Sequence, residues 1–185
     1  MNLKIGIPTF LLYLAVIACQ KDIPPSASLT HSFFDLSDFF KEEQGSLSNK
    51  ITVLHKKITI NGKIEEQRLD SFDLSQELAA FTAADINRPT WLDQYQVDSL
   101  KDAQGLLKTL KYSAMKDNLK TKNLTITYND GQVEEIYIKK AISTMAAESF
   151  QELTYYKGKG YTNYNEQSMA FSEANTIRLE VNFLK

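Results

Sequence analysis

The sequence predicts an α+β fold: one curved antiparallel sheet of about seven or eight strands with two helices packed on one face. Three patterns carry that reading. Two segments in the first half repeat apolar residues every three or four positions, as amphipathic helices do. The second half alternates apolar and polar residues, as antiparallel strands with one wet face do. Between alternating runs stand Asn61-Gly62 and Asp130-Gly131, the dipeptides that tight hairpin turns favour.

In the first helix Phe33, Leu36, Phe40 and Leu47 share one face, Thr30 or Ser32 is placed to cap the start, and Gly45 marks fraying at the end. Asp35, Asp38, Glu42 and Glu43 fall on its polar face, which is the wrong charge for a helix lying on a membrane surface. An alternating segment from Ile51 to Ile60 meets Asn61-Gly62 and returns from Ile64 to Leu69 as a hairpin. Asp73 then caps a second helix, with Gln76 closing the box and Leu74, Leu78 and Phe81 along one face; Pro89 places its end near Ile86. The chain reads as irregular from there to about Lys108. Leu110-Tyr112-Ala114, Leu124-Ile126-Tyr128, Val133 to Ile142, Leu153-Tyr155, Tyr161 to Phe171 and Ile177-Leu179-Val181-Phe183 follow as a meander, with Lys157-Gly158-Lys159-Gly160 as a hairpin tip.

The N-terminus reads as an export leader. Lys4 gives the positive start, and Ile5 to Ala18 give fourteen mostly apolar residues, too few to cross roughly 30 Å of hydrocarbon, interrupted by Pro8 and followed by polar Gln20-Lys21-Asp22. Val16-Ile17-Ala18-Cys19 resembles the lipobox of bacterial lipoproteins. That resemblance implies a leader over residues 1–18, cleavage before Cys19, a diacylglycerol on its thiol and an acyl chain such as palmitate on the new amine; several chains hold a protein stably where one does not. Cys19 is the only cysteine, so no internal disulfide is possible. Residues 19–28, with Pro24-Pro25, read as the lipidated cysteine and a linker, and residues 29–185 as a single domain of ordinary size. Gln20, where proteins retained at the inner membrane commonly carry Asp, implies outer-membrane delivery. Gln20-Lys21-Asp22 resembles the start of the surface-export signal of lipoproteins from the Bacteroides and Flavobacterium groups, which implies exposure at the cell surface over the periplasm. Together with Glu77-Leu78, Phe81 and the stretch from Asp85 to Trp91, the chain is similar to small uncharacterised outer-membrane lipoproteins of those groups, a resemblance that implies location and fold and brings no activity.

Removal of Lys4 with the leader leaves 20 basic residues against 23 acidic ones, a net charge of −3, with no basic arm or run to track a nucleic acid. His31 and His55 lie in different elements, His55 with no ligand partner three or four residues on and His31 with Asp35 alone, so neither a metal nor a cofactor is expected. No Gly-x-Ser-x-Gly elbow is present, and Glu65-Glu66 and Glu134-Glu135 point to opposite sheet faces, so no catalytic set is expected.

Two groups remain as candidate binding residues. Asp85, Asn87, Arg88 and Trp91 form the most distinctive interior stretch; Asn87 ending a helix, Arg88 reaching back to Asp85 or a carbonyl and Trp91 plugging the core edge is the packing alternative. Tyr155, Tyr156, Tyr161 and Tyr164 cluster near one hairpin, either as exposed stacking surfaces or as cross-strand pairs that stabilise the sheet. Asp98-Ser99-Leu100 resembles a three-residue site of O-linked glycosylation in the same bacterial groups. The expected function is that of a noncatalytic, membrane-anchored module that binds or assembles with a protein or glycan. The alternative is a carrier that holds a lipid or other apolar ligand in a cavity wrapped by the sheet.

Overall fold

The structure, a computed structural model, describes residues 33–169 and 173–185. Cys19, the leader, the linker, the expected caps Thr30 and Ser32, His31 and Phe171 lie outside them.

The first helix, α1, spans Leu36–Leu47 and is capped by Asp35, whose carboxylate accepts from the Asp38 backbone N–H. The start therefore falls later than the capping residues read from the sequence, and Phe33 packs from the approach to the helix. Gly45 is absorbed into the last turn. Strands β1 (Val53–Ile60) and β2 (Lys63–Leu69) form the expected hairpin, with Asn61 and Gly62 at φ 48° and 83°, the left-handed pair that a type I′ turn demands. Helix α2 spans Leu74–Thr82, with the Asp73 carboxylate accepting from the Ser75 N–H. It stops four residues short of Ile86: Ala84 and Ile86 are buried and continue the apolar pattern, but outside a helix.

The stretch expected to be irregular holds a 3-10 turn at Pro89–Trp91 and strand β3 (Tyr95–Lys101). Then come β4 (Leu107–Ala114), β5 (Thr121–Asn129), β6 (Gln132–Ser143), β7 (Ala147–Tyr156), β8 (Gly160–Met169) and β9 (Asn175–Leu184). The sheet thus has nine strands rather than seven or eight, in the order β2-β1-β9-β8-β7-β6-β5-β4-β3, every neighbour antiparallel. It is open, with β2 and β3 as edges. Seven strands form a meander, and the β1–β2 hairpin adds to β9. Gly160 is required where β8 meets β9, because a Cβ there would lie 2.0 Å from the Val181 carbonyl oxygen.

Both helices dock on one face. The register aligns Ile126, Ile136, Tyr155, Tyr161 and Val181 in a row across β5 to β9, with Leu124, Ile138 and Leu153 beside it. Phe40 of α1 stacks edge-on to Tyr155 at 5.1 Å, and Phe81 of α2 edge-on to Tyr161 at 5.7 Å. Phe40, Phe81, Leu36, Leu54 and Leu78 have no exposed surface. Each such side chain contributes about 1.5–3 kcal/mol of hydrophobic burial, which is what holds the helices to the sheet without any disulfide. Away from the helices the same face turns polar, with the Asn163 amide oxygen accepting from both Gln151 and Asn165.

Candidate functional site

The face of the sheet without helices is polar by the same alternation that makes the other face apolar, yet it carries aromatic residues at its centre. Paired residues of an antiparallel sheet stand side by side on one face. Lys139, Glu152, Tyr164 and Arg178 accordingly form one row across β6, β7, β8 and β9, and Ala141, Phe150, Glu166 and Thr176 form the next. On the other side of the first row stand Tyr137, Thr154, Thr162 and Glu180.

These side chains organise one another. The Tyr137 hydroxyl donates to Glu152 at 2.5 Å and the Tyr164 hydroxyl donates to Glu166 at 2.8 Å. The Lys139 ammonium lies 4.9 Å from the centre of the Phe150 ring and the Arg178 guanidinium 5.0 Å from that of Tyr164, while the two rings meet edge to face at 6.2 Å. Partial burial, with the bond to Glu152, pushes the Tyr137 hydroxyl up to about 12, and the bond to Glu166 raises that of Tyr164. Both tyrosines therefore stay neutral donors and both glutamates stay oriented. Beside Phe150 the face dips into a hollow of about 280 Å³ lined by Ala141, Ser143, Glu148, Phe150, Glu166 and Ser168. The result is two adjacent rings, four carboxylates and two tyrosine hydroxyls on hydrogen-bonded neighbouring strands.

The four tyrosines singled out in the sequence divide between the faces. Tyr155 and Tyr161 are a buried cross-strand pair under the helices: Tyr155 donates to Glu43 of α1, and Tyr161 donates to Glu77 of α2 at 2.6 Å. Burial and those carboxylates push both hydroxyls well above the ordinary tyrosine range. Glu43, expected on the polar face of α1, is instead buried because Tyr155 and, at 3.9 Å, Lys157 supply its partners. Glu77 also accepts from Lys56 of β1 at 2.6 Å. Tyr156 is exposed opposite Gly160, and Tyr164 belongs to the central patch of the open face. Tyr137, Lys139, Phe150 and Arg178 were missed; the available signal was aromatic residues at the polar positions of alternating strands.

Asp85, Asn87, Arg88 and Trp91 lie far from that patch, where the described chain begins. The Asn87 side chain accepts from the Phe33 N–H at 3.1 Å and donates to the Phe34 carbonyl at 3.1 Å, and Asp85 accepts from the N–H groups of Ser37 and Asn87. Tyr112 accepts from the Phe34 N–H. Arg88 does not reach back to Asp85; its guanidinium stacks 4.4 Å over Trp91, which leans on Tyr95. Ser99, in Asp98-Ser99-Leu100, is exposed on edge strand β3.

His55 Nε2 lies 3.4 Å from Glu66, and no group of three His, Cys, Asp or Glu residues able to hold a metal ion occurs among the described residues. Among those residues no helix is long and apolar enough to cross a membrane. Comparison of the chain with protein families, with curated proteins and with solved structures finds no match.

Proposed function

We propose that this protein is a noncatalytic binding module, held at the outer membrane by lipid on Cys19 and facing the cell exterior, that takes a neutral glycan across the open face of its sheet. The observation that carries the reading is the Phe150–Tyr164 ring pair on that face beside a hollow rimmed by Glu148, Glu166, Ser143 and Ser168. Sugar rings present C–H faces that stack on aromatic side chains and hydroxyls that donate to planar carboxylates. The charged groups around the rings favour a sugar over a protein partner, since the cores of protein interfaces are depleted in charge. Four carboxylates at the patch, those of Glu148, Glu152, Glu166 and Glu180, outnumber its cations Lys139 and Arg178, which favours a neutral polymer over an acidic one. The carrier alternative has less to support it: the hollow of about 730 Å³ between the end of α1 and the start of α2 is open and lined mainly by polar groups such as Gln44, Ser48, Thr52, Asp70 and Asp73, where an apolar ligand needs an apolar wall.

The test is retention of the full lipidated protein, in detergent, by gels cast with starch, xylan or polygalacturonate. Retardation by a neutral polymer, abolished in Phe150→Ala and Tyr164→Ala, is expected. Unretarded migration in both neutral polymers, with capture of a protein partner by the same face instead, overturns the glycan reading. For the tether, Cys19→Ala should leave the membrane fraction, and protease added to intact cells should degrade the wild-type domain.

A further inference from the structure

The ring pair on the open face is closed across the sheet and open along it. Lys139 leans over Phe150 from β6 and Arg178 over Tyr164 from β9, at 4.9 and 5.0 Å, so a ligand seated on the rings meets a charged side chain on either flank. Toward the turn between β6 and β7 the side chains shrink instead. Ala141 pairs with Phe150, and the next row on the same face is Ser143, Glu148 and Ser168. Small residues on the flanking strands leave a furrow over β7, which is the origin of the hollow beside Phe150. A second hollow of about 250 Å³ follows at the turn, lined by Met145, Ala146 and Met169, and it shares Glu148 and Ser168 with the first. The two run together as one trough past that pair.

We propose that this trough is an extended subsite: a linear neutral glycan stacked on Phe150 and Tyr164 runs along β7, over Glu148, and reaches the thioethers of Met145 and Met169, so that the site reads a run of several sugars rather than one. The proposal rests on the glycan reading of the open face. Five residues separate Phe150 from Met145, a reach of at most about 17 Å, longer than a single sugar ring. The polar groups midway match a chain of hydroxyls: the Glu148 carboxylate accepts, and the Ser143 hydroxyl, which donates to Glu148 at 3.4 Å, and that of Ser168 both donate and accept. At the far end Met145 is fully exposed and Met169 is 64% exposed, so neither thioether contributes to the core. Unbranched, polarizable methionine side chains mould to an irregular C–H surface, as the face of a sugar ring offers. Among the described residues that line the two hollows none is cationic, which keeps the preference for an uncharged chain along the whole trough.

Calorimetric titration of the full lipidated protein in detergent with maltose, maltohexaose, xylobiose and xylohexaose tests the length of the site. In whichever series binds, the long chain should bind at least about tenfold more tightly than the short one. That ratio should fall toward one in the Met145→Ala, Met169→Ala double variant, whose substitutions lie on exposed side chains and leave the core intact. Equal affinity for short and long chains, or a double variant that keeps the full ratio, overturns the extended subsite and leaves the ring pair standing as the binding site. No binding in either series refutes the glycan reading and the subsite together.

Discussion

The two faces of this sheet use the same residue types to opposite ends. Under the helices, Tyr155 and Tyr161 donate to Glu43 and Glu77, both from another layer of the molecule, so each bond fastens a helix to the sheet. On the open face, Tyr137 and Tyr164 donate to Glu152 and Glu166, which belong to the same sheet, so the bonds fasten nothing except the arrangement of the surface itself. A tyrosine–glutamate pair is thus structural or presentational according to what lies above it. The covered face has its partner within the chain; the open face has the same chemistry ordered and no partner among the described residues.

The comparison breaks if substitutions on the two faces have equal consequences. The largest effect is expected from Phe40→Ala, which empties the contact between α1, α2 and Tyr155: a loss of about 3–5 kcal/mol in denaturant unfolding, with polysaccharide retention intact wherever the protein remains folded. Next is Glu77→Ala, which strands the Lys56 ammonium and the Tyr161 hydroxyl near α2 and should cost about 2–4 kcal/mol in the same measurement.

Alkaline pH sharpens the contrast further. Tyr155 and Tyr161 have hydroxyls raised above the ordinary 10.0, so the unfolded chain releases those protons first as the pH climbs. Their contribution is complete below pH 10.0 and falls above it by about 1.4 kcal/mol per pH unit for each tyrosine. Thermal unfolding midpoints should therefore drop steeply above that pH, and a Tyr155→Phe, Tyr161→Phe double variant should flatten the decline. The smallest stability effect belongs to Phe150→Ala, expected below about 1 kcal/mol because its ring packs on a half-exposed surface, while its retention by neutral polysaccharide is lost.

Much of the scaffold was legible in the sequence because local rules agreed with the fold. The apolar spacing of Leu36, Phe40 and Leu47 and of Leu74, Leu78 and Phe81 located both helices, and the two Gly-containing dipeptides located hairpins with left-handed φ at both turn residues. Strand β3 was missed because it is an edge: Tyr95 alone is buried, while Val97 and Leu100 are exposed, so no alternation survives. The end of α2 was overrun because Ala84 and Ile86 reach the core from a loop at helix-like spacing. Glu43 was assigned to solvent since nothing local shows that a tyrosine more than a hundred residues away will meet it. The central patch was half-seen for a related reason: Tyr164 stands out in the sequence, but its row with Lys139, Glu152 and Arg178 exists only once the register of four strands is set.

The most direct test is to follow aromatic-ring resonances of the full protein while starch or xylan fragments are added. The open-face account predicts that Phe150, Tyr164 and Tyr137 shift and saturate together, while Phe40, Phe81 and Tyr155 stay fixed. Shifts confined to the rings beneath the helices, or no shift at the open face with either sugar, would contradict it.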